Sequence, residues 1–153
     1  MAAIVAKAWR AWPRIAGYTC CVIGEDSAAD QPFRECGACG RVWRQWREFI
    51  LDPGVRLLGL QLAPGMQEAN LLVFEHSCGS SISVLASRLR HLVPDDEPDD
   101  LRSLYGTEAC AEHCRVIENL ARCDQACANA RDRRLAVMLH EIKLTRNLPD
   151  PAF

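Results

Sequence analysis

The sequence contains no apolar run approaching the roughly 18–20 residues that a membrane-spanning helix requires, so we expect no transmembrane segment. The phosphate-binding patterns GxGxxG and GxxxxGK followed by Ser or Thr are absent, and so is the GxSxG pattern of serine hydrolases. Net charge is only −2, which gives no electrostatic reason to expect broad nucleic-acid binding. These absences argue against a membrane-spanning protein, a glycine-loop nucleotide site and serine-nucleophile chemistry.

What the sequence does have is an unusual number of cysteines, nine among 153 residues. An odd number cannot be consumed by disulfides within one chain. Several are spaced as CxxC or CxxxC pairs, which is more typical of metal ligation than of a secreted disulfide framework. We therefore expect a protein of the reducing cytoplasm. The nine are Cys20, Cys21, Cys36, Cys39, Cys78, Cys110, Cys114, Cys123 and Cys127.

Composition divides the chain into four predicted segments. Residues 1–30 begin with a basic amphipathic stretch that would either touch a membrane surface or pack onto the core. Residues 31–93 would form a module of strands and helices. Residues 94–106 start with five acids and two prolines within seven positions, which predicts a solvated linker. Residues 107–153 would form a cysteine-rich helical tail.

The hydrophobic pattern of residues 31–93 predicts a β-hairpin flanked by helices, so the expected fold class is α+β. Asp52-Pro53-Gly54 would end the first helix, and Ser80 or Ser81 would cap the second. The expected elements are a helix over residues 42–50, strands over 55–62 and 71–74, a turn at 63–66, and a helix over 82–93.

The strongest chemical signal is Cys36-Gly-Ala-Cys39-Gly40 together with His76 and Cys78. Two thiolates on a CxxC turn can reach one tetrahedral ion because glycine lets the backbone fold tightly around it. His76 and Cys78 lie where a strand is expected to end and a helix to begin, and the free N–H groups of a helix N-terminus favour thiolate over thiol. Three sulfurs and one imidazole would form a closed ligand set for zinc, with no open position for a substrate.

This arrangement, over residues 33–93, resembles zinc-ribbon and treble-clef modules, in which a knuckle and a second ligand pair clamp a β-hairpin. The resemblance implies a zinc-stabilised hairpin with flanking helices. Two features depart from the common pattern: the second pair is His-x-Cys, and a helix directly follows the first knuckle. The alternative is a redox dithiol at Cys36 and Cys39, but the polar residues 26–35 lack the strand that thioredoxin-like folds place before CxxC.

A second set of four cysteines lies in the tail with CxxxC spacing in each half. On one unbroken helix the two pairs would face roughly 180–220° apart, so they could not share a ligand. Apolar spacing predicts a helix over residues 107–146, which would have to break between residues 115 and 122 for the cysteines to meet. They would then hold a second zinc or an iron–sulfur cluster, or form disulfides in a helical hairpin; otherwise they fill the core. The four are Cys110, Cys114, Cys123 and Cys127.

The closed first site favours a non-enzymatic metal-binding adaptor or regulatory protein. The apolar face of the C-terminal helix would then contact another protein, a second copy, or the module itself. The alternative is a redox or electron-transfer protein whose tail cysteines carry an iron–sulfur cluster or a thiol switch. A zinc-ribbon nucleic-acid binder using Arg41, Arg44 and Arg47 is the weaker alternative, because the middle third of the chain is acidic.

Overall fold

A computed structural model of the chain describes residues 31–98, 100–146 and 148. These residues belong to a structural unit that runs from Gln31 to Phe153. It combines two small antiparallel sheets with a C-terminal helix, which confirms the predicted α+β class. The basic amphipathic stretch in residues 1–30, with Cys20 and Cys21, lies outside the described residues.

The first sheet pairs two very short strands, β1 (Arg34–Glu35) and β2 (Val42–Trp43), and is followed by helix α1 (Trp46–Leu51). The predicted helix therefore begins later than expected, because Val42 and Trp43 pair with β1. Gln45 is the N-cap residue of α1. The Glu48 carboxylate accepts a hydrogen bond from the Gln45 backbone N–H at 3.3 Å, which completes a capping box.

The second sheet is a meander of β3 (Val55–Gln61), β4 (Leu71–His76) and β5 (Ser81–Leu85), all antiparallel. Its first two strands are the hairpin that the sequence predicted. In β4 every second residue is buried, and the inward series is Leu72, Phe74 and His76. A histidine at the end of an apolar series is therefore placed on the core face by strand periodicity.

The prediction of a helix over residues 82–93 is wrong. The chain instead continues the sheet as β5 and then makes two 3₁₀ turns, Ala86–Arg88 and Arg90–Leu92. In β5 the buried Ile82 and Val84 alternate with serines, which is the period of a strand, and both are β-branched. The hydrogen bonds that β4 offers along its free edge favour this strand over an isolated helix.

The tail is also less helical than predicted. Helix α2 covers only Ala130–Thr145, and residues 100–129 contain neither helix nor strand. Within the predicted helix, Glu112 has a φ of 60°, a left-handed conformation that cannot continue a right-handed helix. None of the helices in the described ranges is long and apolar enough to cross a bilayer.

Helix α2 packs onto the same core as the sheets. Leu135, Leu139 and Ile142 are almost fully buried in one cluster with side chains of both sheets and α1, and Met138 packs at its edge. The helix also reaches α1, because Lys143 Nζ donates hydrogen bonds to the carbonyls of Phe49 (3.3 Å) and Asp52 (3.1 Å). The apolar stripe of the C-terminal helix is thus covered within this chain.

The acidic segment that follows the sheets contacts α2 through ion pairs. Asp95 lies 2.6 Å from Arg131, and Arg134 contacts both Asp96 and Glu97 at 2.7 Å. Most of these groups are solvent-exposed, so each pair contributes little stability, about 0–1 kcal/mol. The division of the chain at residues 94 and 107 stays a prediction.

Candidate metal centre

Four side chains from distant parts of the sequence meet at the junction of the two sheets. The ligand atoms of Cys36, Cys39, His76 and Cys78 all lie within 4.8 Å of one another. Cys36 Sγ is 3.6 Å from Cys78 Sγ, and His76 Nδ1 is 3.5 Å from Cys39 Sγ and 3.1 Å from Cys78 Sγ. A tetrahedral zinc with Zn–S bonds of about 2.3 Å would separate its sulfurs by about 3.8 Å. The cluster could therefore hold a metal ion.

Each sheet supplies half of the ligands. Cys36 and Cys39 lie in the turn between β1 and β2, which closes through hydrogen bonds from Cys36 N–H to Arg41 O and from Gly40 N–H to Cys36 O, both 2.8 Å. Gly40 has a φ of 72°, which favours glycine. His76 ends β4, and Cys78 lies in the turn to β5. A bound ion would therefore join the small sheet to the large one.

Hydrogen-bond donors surround two of the three sulfurs. Ser80 Oγ is 2.9 Å from Cys36 Sγ and 3.2 Å from Cys78 Sγ. The Ser80 hydroxyl, with the backbone N–H groups of Cys39 and Ala38, lowers the pKa of the Cys36 thiol to about 5. Ser80 and His76 likewise lower the pKa of Cys78. Hydrogen bonds to the ionised form favour it, so these contacts make the two sulfurs more acidic than ordinary thiols.

The other two ligands respond to that negative charge. Although a backbone hydrogen bond from Arg41 opposes the shift, loss of solvation and the neighbouring sulfurs raise the pKa of Cys39. The hydrogen bond to Cys78 raises the pKa of His76. Negative charge on the neighbouring sulfurs thus disfavours a third thiolate and favours the protonated imidazole. A bound cation would remove both effects, since it replaces the proton and neutralises the sulfurs.

The imidazole is held in place by the aromatic core. The Trp43 ring packs edge-on against His76, with ring centres 5.2 Å apart, and against Phe49 at 5.1 Å. Asp52 fixes Trp43 in turn by accepting a hydrogen bond from the indole Nε1–H at 2.8 Å. Burial opposes ionisation of Asp52, but hydrogen bonds from Trp43 and the Gly54 N–H outweigh it and lower the pKa. This carboxylate therefore supports the site without being a ligand.

Sequence reasoning found the four clustered residues but was wrong about part of their setting. No helix begins after Cys78; the chain makes a tight turn at Gly79, with a φ of 85°, and enters β5. The thiolates are stabilised by Ser80 and not by a helix N-terminus. The supporting roles of Trp43 and Asp52 were missed, and their only sequence signal is that both lie close to the knuckle along the chain.

The tail cysteines do not form a comparable cluster. In the part of the chain that the structure describes, Cys36, Cys39, His76 and Cys78 are the only group of three or more such ligands within 4.8 Å of one another. The four tail cysteines are unpaired, so the helical disulfide hairpin does not form here. They nevertheless all line one cavity, together with His113. They are Cys110, Cys114, Cys123 and Cys127.

Several arginine and tryptophan side chains after the knuckle make contacts within the chain. The Arg47 guanidinium lies over the Trp46 ring at 5.1 Å, and His91 packs against the same ring at 5.5 Å. Arg41 contacts Asp52 at 3.5 Å. Trp46 is thus covered by its neighbours, and the nucleic-acid alternative stays a prediction.

No family model, curated protein or solved structure matches the chain. The resemblance to zinc-ribbon and treble-clef modules therefore rests on its ligand cluster and paired strands, and the site is interpreted from its own geometry.

Proposed function

We propose that the chain is a non-enzymatic adaptor or regulatory protein with a structural zinc ion bound by Cys36, Cys39, His76 and Cys78. The observation that carries the proposal is the convergence of these four ligand atoms within 4.8 Å at the junction of two sheets. Three thiolates and one imidazole are a preferred donor set for zinc, and four protein ligands complete its coordination. A closed site of this kind stabilises a fold and has no position at which a substrate could bind.

The size of the first sheet supports a structural role. Strands β1 and β2 have two residues each, so their hydrogen bonds alone would not hold them in place. Cys36 is fully buried, whereas Cys39 and Cys78 are exposed at the surface of the turn. Binding free energy gained by the metal becomes folding free energy, because the site does not exist in the unfolded chain.

Exposed apolar side chains support a role in protein contacts. Leu51, at the end of α1, is 38% exposed, and Leu144, near the end of α2, is 72% exposed. Both border one groove between α1, β3 and α2, together with Pro53. The buried stripe of α2 is occupied by the core, so a partner would use this remaining surface.

The test compares Cys39→Ser with Ser77→Ala, a change in the other ligand-bearing turn, between β4 and β5, that removes no ligand. We expect one zinc per chain in the parent protein and in Ser77→Ala. Cys39→Ser should lose the zinc and with it the structure of the first sheet, seen as loss of near-ultraviolet circular dichroism from Trp43. A well-folded, zinc-free Cys39→Ser protein would contradict a structural role.

Cobalt substitution distinguishes a closed site from a catalytic one. In a closed site, the visible spectrum of tetrahedral Co²⁺ should not change when azide or cyanide is added at modest concentration. In a catalytic site, the anion would replace a bound water and shift the spectrum. A shift would therefore contradict the non-enzymatic assignment while leaving metal binding intact.

A further inference from the structure

The loop of residues 100–129 carries four cysteines and has no helix or strand of its own. Loops of this length without secondary structure are uncommon in compact domains and are usually functional or disordered. This one is fastened to the core by a hydrogen bond from the Leu60 N–H to Ile117 O at 3.1 Å, and its two ends are joined by a hydrogen bond from the Ala128 N–H to Arg102 O at 3.2 Å. The loop therefore presents its cysteines from defined positions.

All four cysteines face one place. Cys110, Cys114, Cys123 and Cys127 line a single cavity. Cys110 and Cys127 are separated by 16 intervening residues of irregular backbone, so no helical or strand periodicity brings them together. Four sulfurs converging from an irregular loop are typical of a metal centre around which the backbone is wrapped.

Backbone donors point at two of the sulfurs. The Glu112 N–H lies 3.4 Å from Cys110 Sγ, and the Leu104 N–H lies 3.3 Å from Cys127 Sγ. Glu112 adopts its left-handed φ of 60° in the turn that makes the first of these contacts. Hydrogen bonds from backbone N–H groups to sulfur are a common feature of metal-bound thiolates, whose properties they tune.

A buried positive charge lies at the same cavity. Arg133 is 1% exposed, and the hydrogen bonds of its guanidinium go to backbone carbonyls and one amide oxygen, all uncharged. Among the described residues it forms no ion pair with a carboxylate. Cys114 and Cys123 line the same cavity as this guanidinium. A buried guanidinium is costly without a counter-charge, and a tetrathiolate metal centre, which is anionic, would supply one.

Sulfur spacing distinguishes between two kinds of centre. A single zinc would need sulfurs about 3.8 Å apart, as at the first site. In the described chain no three ligand atoms of the tail set lie within 4.8 Å of one another. A 4Fe–4S cluster binds each thiolate through a different iron, so its ligand sulfurs lie farther apart than those of a single zinc ion. We propose that Cys110, Cys114, Cys123 and Cys127 hold a 4Fe–4S cluster.

The test measures iron, acid-labile sulfide and zinc on the full chain purified without oxygen. We expect about four iron and four sulfide per chain, with a broad visible absorbance. Cys114→Ser should lose the iron and sulfide but keep the zinc of the first site. Val116→Ala changes an exposed residue of the same loop and should keep both metals. Because zinc is counted in the same sample, failure of one site is distinguishable from failure of the other.

Three results would overturn the cluster. Two zincs per chain without iron would make the tail a second zinc site. One zinc with four tail thiols that react fully with a thiol reagent would make the tail cysteines metal-free. Iron and sulfide that persist in Cys114→Ser would place the cluster on other ligands. The parent chain decides the first two results, so the proposal can be refuted even if Cys114→Ser fails to fold.

Discussion

Replacing Asp132 by alanine tests whether one buried carboxylate fastens α2 to the sheet. Asp132 Oδ1 accepts a hydrogen bond from Arg90 Nε at 2.7 Å. Its Oδ2 accepts from Arg90 Nη2 at 2.9 Å and from Asn70 Nδ2 at 2.8 Å. Asn70 directly precedes β4, and Arg90 begins the second of the 3₁₀ turns after β5. The first turn of α2 is thus joined to both.

The expected cost follows from the burial of the three groups. Removing one partner of a fully buried ion pair costs about 3–5 kcal/mol. The Asp132 side chain is 2% exposed, but that of Arg90 is 20% exposed and also contacts Glu68, so part of the charge remains solvated and paired. We therefore expect Asp132→Ala to lower the free energy of unfolding by about 2–4 kcal/mol.

Glu68→Ala is the matched control, because Glu68 contacts the same guanidinium but has a side chain that is 76% exposed. Its removal should cost less than about 1 kcal/mol. The assay is urea unfolding of the metal-loaded chain under reducing conditions, followed by tryptophan fluorescence. In an Arg90→Met background, Asp132→Ala should lower the free energy of unfolding by less than it does in the parent protein. If Asp132→Ala lowered the free energy of unfolding no more than Glu68→Ala does, the conclusion that this buried network holds α2 to the sheet would be refuted.

Three further changes test other contacts. Asp52→Ala leaves the Trp43 indole N–H without its acceptor and should cost about 1–3 kcal/mol in urea unfolding; parent-like stability would contradict this. Gly59→Ala would place a Cβ 1.7 Å from Ile117 O, so the tail loop should move off β3 at a cost of about 1–3 kcal/mol. Limited proteolysis should then cut that loop faster, and unchanged cleavage would argue against the contact. Burial lowers the pKa of Lys143 to about 8, from 10.5 in the unfolded chain. Between these values the unfolded chain binds more protons, so parent stability relative to Lys143→Met should rise from pH 8 to 10, and a constant difference would refute the shift.

The chemistry of the first site could be predicted because it depends on local sequence. Cys36 and Cys39 are three positions apart, His76 and Cys78 are two apart, and both spacings suit a tight turn. His76 also continues the inward series of β4, so strand periodicity places it on the core face. That the two pairs belong together followed from the predicted hairpin, whose strands β3 and β4 are present.

The prediction of helix over residues 82–93 failed because the same apolar residues satisfy two periods. Ile82, Leu85, Ala86 and Leu89 fit a helical spacing, while Ile82 and Val84 fit a strand. The strand forms because residues Leu71 to Glu75 of β4 offer backbone hydrogen bonds to the whole length of β5. An edge strand in need of a partner is a tertiary property that a local window does not contain.

By itself, the sequence determined which ligands the chain can offer, the α+β class and the hairpin, since these follow from residue chemistry and alternation at short range. Only the tertiary structure decided that the tail loop is irregular and that its cysteines line one cavity. The position of the tail loop is set by contacts such as that of Ile117 with β3. The charge balance at the cavity depends on the burial of Arg133. Burial and long-range hydrogen bonds are properties of the packed chain, and they outweigh a helical propensity that amounts to at most about 1 kcal/mol per residue.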